Sequence, residues 1–221
     1  LYPPEALEFF RDLAENQNKT WFDAQKSRYE RSVREPMGAM ILVLSDRLAK
    51  AGLPLRGDPK RSMFRLNRDV RFSANKSPYK TAAGCVFSRT GEKNSPGILY
   101  FHLDPKGTFT AAGFYRPDPD ALHRMRLGLV REPKPWAKIV KTLAAAGLEL
   151  DGNDALVRVP RGFESAPPEL HQVLRFKSWV IKHAIPPAEL IAATLVDHLV
   201  EFALTAAPLL KFGWAALDRI E

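Results

Sequence analysis

The side chains best placed to do chemistry lie in one window, residues 60–80, which reads K-R-S-M-F-R-L-N-R-D-V-R-F-S-A-N-K-S-P-Y-K. Seven bases there face a single acid, Asp69, so six of the eight net positive charges of the chain fall in this short stretch. Crowding cations into a small volume is costly unless an anion occupies it, and arginine forks match phosphate and carboxylate oxygens. The expected anion-binding set is Arg65, Arg68, Arg71, Lys76 and Lys80. Two other readings stand beside this one. In an enzyme acting on a small anionic substrate, Asp69 is the best general base, Tyr79 or Lys76 the best acid, and the arginines the clamp. In a purely structural network, Asp69 pairs with Arg65 or Arg71 and the remaining bases decorate a solvated strand edge. With no activated nucleophile visible, binding is favoured over reaction.

The elements that must position these groups follow from periodicity. Read as a strand over 63–72, the window places Phe64, Leu66, Arg68, Val70 and Phe72 on one face, and Arg65, Asn67, Asp69 and Arg71 on the other. Pro78 forces an extended entry into a second strand and brings Tyr79 and Lys80 to the same edge, making a strand-loop-strand unit over 60–80. A small-residue strand over 81–88 comes next, then a surface loop over 89–97. Strands over 98–103 and 108–115 follow, joined by the tight turn Asp104-Pro105-Lys106-Gly107.

Helical spacing brackets these strands. Leu7, Phe10 and Leu13 follow a Pro3-Pro4 start, a second helix opens near Trp21-Phe22, and Met37, Met40, Ile41, Leu44 and Leu48 form a strong amphipathic stripe ending at Gly52. Asp118-Pro119 reads as a cap and first helical position, and Pro133 starts a further helix that closes at Gly147. Short strands are expected over 148–150 and 155–159, a short helix through Leu174 and another strand over 176–182. A long last helix starts at Pro186-Pro187, and Pro208 is expected to kink or end it. The fold class expected is α+β. One antiparallel sheet comes from the middle of the chain, with N-terminal and C-terminal helices covering it, in a single domain over 1–221.

Several chemistries lose support on spacing alone. The chain has no H-E-x-x-H, paired C-x-x-C or G-x-S-x-G, and G-E-K-N-S-P-G lacks the G-K-[ST] ending of a phosphate-binding loop. No cofactor or metal site is expected. The histidines at 102, 123, 171, 183 and 198 are scattered and read as surface or satisfied core residues. Asp104, Asp118 and Asp120 are explained by a turn and a cap. The single cysteine, Cys85, fits a reducing compartment, and the longest apolar run, 39–44, is too short for a bilayer, so a cytoplasmic protein off the membrane is expected. A pI near 9.7 is compatible with nucleic acid or a phosphorylated small molecule as partner. With neither an RNA-recognition signature nor a zinc finger present, base-specific reading is not expected.

The string R-x-x-R-D-x-R-F-S-x-x-K-S-P-Y-K over 65–80 resembles the signature of a bacterial and fungal family known as domain of unknown function 2461. The likeness extends over nearly the whole chain, through P-x-x-L-x-F-x-x-D-L at 4–13, W-F at 21–22, G-F-Y-R-P at 113–117, P-x-x-W at 133–136, P-R-G-F at 160–163 and K-x-W at 177–179. The resemblance implies family membership and carries over no reaction, cofactor or partner. Asn75 stands where the family pattern favours an acid, which leaves Lys76 in more positive surroundings.

Overall fold

A computed structural model describes residues 1–71 and 74–219 of the chain. Among the described residues, four strands form one antiparallel sheet in the order β1-β2-β3-β4: β1 (Ala83–Ser88), β2 (Ile98–Leu103), β3 (Thr108–Phe114) and β4 (Trp179–Ile185). The first three make a meander. The β2–β3 turn closes where expected, with the Gly107 N–H donating to the Asp104 carbonyl at 3.1 Å. The chain then leaves through α5 (Pro119–Arg131) and α6 (Pro133–Ala145), and a short helix α7 (His171–Arg175) leads it back to β4 on the far side of β3. The Asp118 carboxylate caps α5, accepting the Ala121 N–H at 2.9 Å, with Pro119 in the first turn.

The period-2 rule sorts the sheet into two unlike faces. Cys85, Phe87, Leu99, Phe101, Leu103, Ala112, Phe114, Trp179 and Ile181 are almost fully buried and share the helix-covered side. Against that core lie α1 (Glu5–Glu15), the short α2 (Lys19–Ala24) and α3 (Lys26–Tyr29), α4 (Glu35–Lys50) and α9 (Leu195–Asp218). In α4 the stripe Met37, Met40, Ile41, Leu44 and Leu48 is buried, as its spacing requires. By length and composition α9 is apolar enough to span a bilayer, but most of it is buried against β3, α4, α5 and α6.

Two prolines lie within the helical layer. Pro36 sits inside a continuous helical run because the preceding turn, Glu30–Arg34, is a π-helix in which the Glu35 N–H reaches the Glu30 carbonyl. Pro208 lies within α9, which runs on to Asp218, while the break expected there falls earlier, between α8 (Pro187–Ile191) and α9.

Both sheet edges are covered by irregular chain. Leu150 bridges Ile181 on β4 and Ala155 bridges Phe176 just before it, so the strands expected over 148–150 and 155–159 reduce to single bridges. At the other edge the strand expected over 63–72 is likewise absent as a regular element; Phe72 lies outside the described residues. Met63 bridges Cys85 and Asn67 bridges Tyr79. Four steps on one side thus span six on the other, so the pairing is interrupted between the two bridges. The chain bends at Leu66, which separates two residues that alternation predicted would share a face. Leu66 enters the core, whereas Phe64 turns to the opposite side of the sheet and stays 38% exposed.

Candidate functional site

The face of the sheet away from the helices is the floor of a cavity of about 880 Å³. Gly84, Val86, Tyr100, His102, Phe109, Ala111, Gly113, Val180 and Lys182, alternate residues of the four strands, make the floor. One wall is Phe64, Lys80 and Ala82 with Lys93 of the 89–97 loop; the facing wall is Tyr115, Arg116 and Pro117, which continue from the end of β3.

Lys80 is in step with the cavity-facing alternate residues Ala82, Gly84 and Val86. Its backbone N–H is tied to the Leu66 carbonyl at 2.9 Å, and its ammonium lies 5.7 Å from the centre of the Phe64 ring. The Lys93 ammonium lies 5.3 Å from the same ring, so two cations share one aromatic contact at the mouth of the cavity. Burial holds the Lys80 ammonium below the ordinary lysine range, and the positive charges of Arg65, Lys93 and Arg68 lower it further. Among the described residues neither lysine has an acidic partner within ion-pair distance. The other cations on the rim are matched: Lys182 meets Asp151 at 2.8 Å, and Arg116 meets Asp154 at 2.9 Å.

Two backbone features shape the facing wall. Gly113 has φ 133°, and a side chain there would run into the Trp179 carbonyl oxygen on β4. Arg116 has φ 42°, uncommon for a residue with a side chain; the Ser178 hydroxyl accepts its N–H at 3.0 Å and Asp154 anchors its guanidinium. Both belong to the G-F-Y-R-P string, which therefore builds one side of the cavity.

Polar chemistry on the floor comes from a strand repeat. Tyr100, His102 and the turn residue Asp104 alternate and so project to one side. The Tyr100 hydroxyl is 2.8 Å from His102 Nδ1, and His102 Nε2 is 3.4 Å from Asp104 Oδ2. A carboxylate only accepts, so Nε2 carries the proton toward Asp104 and, in the neutral ring, Nδ1 accepts from the tyrosine. Burial pushes the Tyr100 phenol up to about 12 and lowers the His102 imidazole, whose contact with Asp104 partly offsets the effect. Gly84 makes room: a Cβ there would come within 2.5 Å of the Tyr100 hydroxyl.

The residues expected to bind an anion divide. Lys80 lines the cavity, and Arg65 and Arg68 stand close enough to depress its ammonium. Arg71 is ion-paired with Asp69 at 2.7 Å, and the Lys76 ammonium donates to the Val70 carbonyl at 3.0 Å. Asp69 is exposed, off the cavity, and hydrogen bonds from Arg71 hold its carboxyl below the usual range, which makes it a weak proton acceptor. Tyr79 faces the core, 5% exposed, its ring stacked on Phe22 at 4.5 Å. Of the two acids suggested beside Asp69, Tyr79 is thus turned into the core, while Lys76 stays on the same exposed segment, held at the Val70 carbonyl. His102 and Tyr100 take the central place instead, and the signal for them was the alternation Y-x-H-x-D over 100–104. Cys85 is fully buried, its thiol pushed up by desolvation, on the covered face. Among the described residues no three His, Cys, Asp or Glu side chains converge as metal ligands.

Fold and site together define an α+β protein that buries one face of an antiparallel sheet and leaves the other as the floor of a lysine-rimmed cavity. The chain belongs to the family described as conserved hypothetical protein (DUF2461), whose model matches residues 5–212. No curated protein and no solved structure matches the chain.

Proposed function

We propose that the sheet-face cavity binds a small organic phosphate or carboxylate with a flat apolar body. The observation that carries this reading is the pair Lys80 and Lys93, two ammonium groups without acidic partners among the described residues, flanking Phe64 at the cavity mouth. Phe109, Val86, Ala111 and Val180 offer an apolar floor for the body of the ligand. An incoming anion relieves the mutual repulsion of Lys80, Lys93, Arg65 and Arg68, so its binding gains from charge already assembled. Pockets with mostly apolar walls and a few fixed polar groups are the common form of small-ligand sites.

Calorimetric titration with phenyl phosphate tests the reading, alongside a labelled duplex oligonucleotide measured across salt. The expected result is saturable phenyl phosphate binding that weakens about tenfold or more in Lys80→Ala and Lys93→Ala, the loss of a charge-assisted contact. An oligonucleotide bound with a log–log salt slope near about −3.6, as four phosphate contacts give, together with no phenyl phosphate binding, overturns it in favour of a nucleic-acid surface along 60–80.

A further inference from the structure

The lysines account for holding an anion, but they leave the hydrogen-bonded line on the floor without a role. Tyr100, His102 and Asp104 all belong to the sheet-face side, and Tyr100 and His102 both line the cavity. The Tyr100 hydroxyl spends its proton on His102 Nδ1, so its lone pairs are turned to whatever fills the space above it. Asp104 is itself fixed by the turn, accepting the Lys106 N–H at 2.8 Å, and so holds the imidazole in the tautomer that leaves Nδ1 free to accept.

We propose that Tyr100 is a catalytic general base, activated by His102 and oriented through it by Asp104, which makes the cavity a proton-transfer site for a small organic phosphate or carboxylate. The inference rests on the anion-binding reading above. Tyr100 Oη takes a proton from an acidic O–H, or from a C–H beside a carbonyl, of the bound ligand while its own proton passes to His102 Nδ1. The electron pair of the broken bond stays on the ligand, where Lys80 and Lys93 stabilise it, and the new imidazolium lies against Asp104. Neutral imidazole is the state required for this step; burial of the ring favours it but also weakens the ring as a base, so the step relies on Asp104 to stabilise the imidazolium.

The test uses 4-(fluorosulfonyl)benzoate, an anionic aromatic electrophile that traps activated phenols. In the labelling reaction the Tyr100 oxygen forms the bond to sulfur, fluoride leaves, and the phenol proton passes to His102. Mass mapping of the intact chain should show Tyr100 labelled about tenfold or more faster than the exposed Tyr115, with that advantage lost in His102→Gln, which cannot take the proton. Nitrogen NMR of the unmodified protein should show His102 Nδ1 bare and Nε2 protonated, a readout that needs no variant to fold. Tyr100 labelled no faster than Tyr115, an unchanged rate in His102→Gln, or a protonated Nδ1 overturns the relay. Phenyl phosphate titrated into the same preparation separates the two ideas. Binding retained with an unreactive Tyr100 sinks only the relay, and lost binding sinks the pocket on which it rests.

Discussion

The phenol of Tyr100 on β2 lies across Gly84 on the neighbouring strand β1, so close that a Cβ at position 84 would stand 2.5 Å from its hydroxyl oxygen. The glycine therefore decides where the tyrosine hydroxyl sits and whether it reaches His102. Replacing it with alanine displaces the far end of a flexible side chain, not the backbone. Gly84→Ala is expected to stay folded, with a loss of about 1 kcal/mol in urea denaturation, and to break the Tyr100–His102 hydrogen bond. Tyr100 sulfonylation should fall to the level of Tyr115, and an unchanged rate would contradict this packing.

Gly113→Ala meets backbone instead. With φ 133° and the Trp179 carbonyl in the way, the added methyl forces β3 and β4 apart beneath the core face. The expected outcome is a loss of about 3 kcal/mol or more, read as a lowered urea midpoint or as insoluble protein. A midpoint equal to wild type would show that the close pairing of β3 with β4 at this point is wrong.

Burial lowers the His102 imidazole below the value near 6.5 that it has when unfolded. The unfolded chain then binds more protons than the folded one as pH falls past that value. The stabilising contribution is fully present above the unfolded value and is lost as pH drops through the folded one. Asp58, Asp69, Asp151, Asp154 and Asp218, held low by hydrogen bonds from their partners, stay ionised in this window. Between about pH 7.5 and about pH 5.5 the melting temperature of wild type should drop more than that of His102→Gln. Parallel curves would contradict the buried, neutral ring.

Lys80 is held near three like charges, so its removal should relieve repulsion in the empty protein. Lys80→Met is expected to keep or raise the melting temperature while weakening phenyl phosphate binding. Opposite movement of stability and affinity marks a group retained for binding. A melting temperature lowered by several degrees would instead make Lys80 part of the framework.

Much of this arrangement was legible in local sequence, because the forces that set it act over a few residues. The stripe from Met37 to Leu48, the capped start at Asp118-Pro119 and the turn at Asp104-Pro105-Lys106-Gly107 each appear where periodicity and turn chemistry place them. So does the excess of positive charge around Lys80, which composition alone displays. Alternation over 63–72 failed because it assumes an unbroken strand, whereas pairing is interrupted between the Met63–Cys85 and Asn67–Tyr79 bridges and the chain bends at Leu66, leaving Phe64 outward and Leu66 inward.

The sequence by itself determined the α+β layering and the cationic character of residues 60–80. Only the tertiary structure decided which cations remain unmatched. Arg71 finds Asp69 two residues away, but Lys80 meets Lys93 from a separate loop, and the G-F-Y-R-P wall arrives from the end of β3. Such approaches depend on strand register and on which sheet face the helices cover, and both are settled by packing between segments distant in the chain.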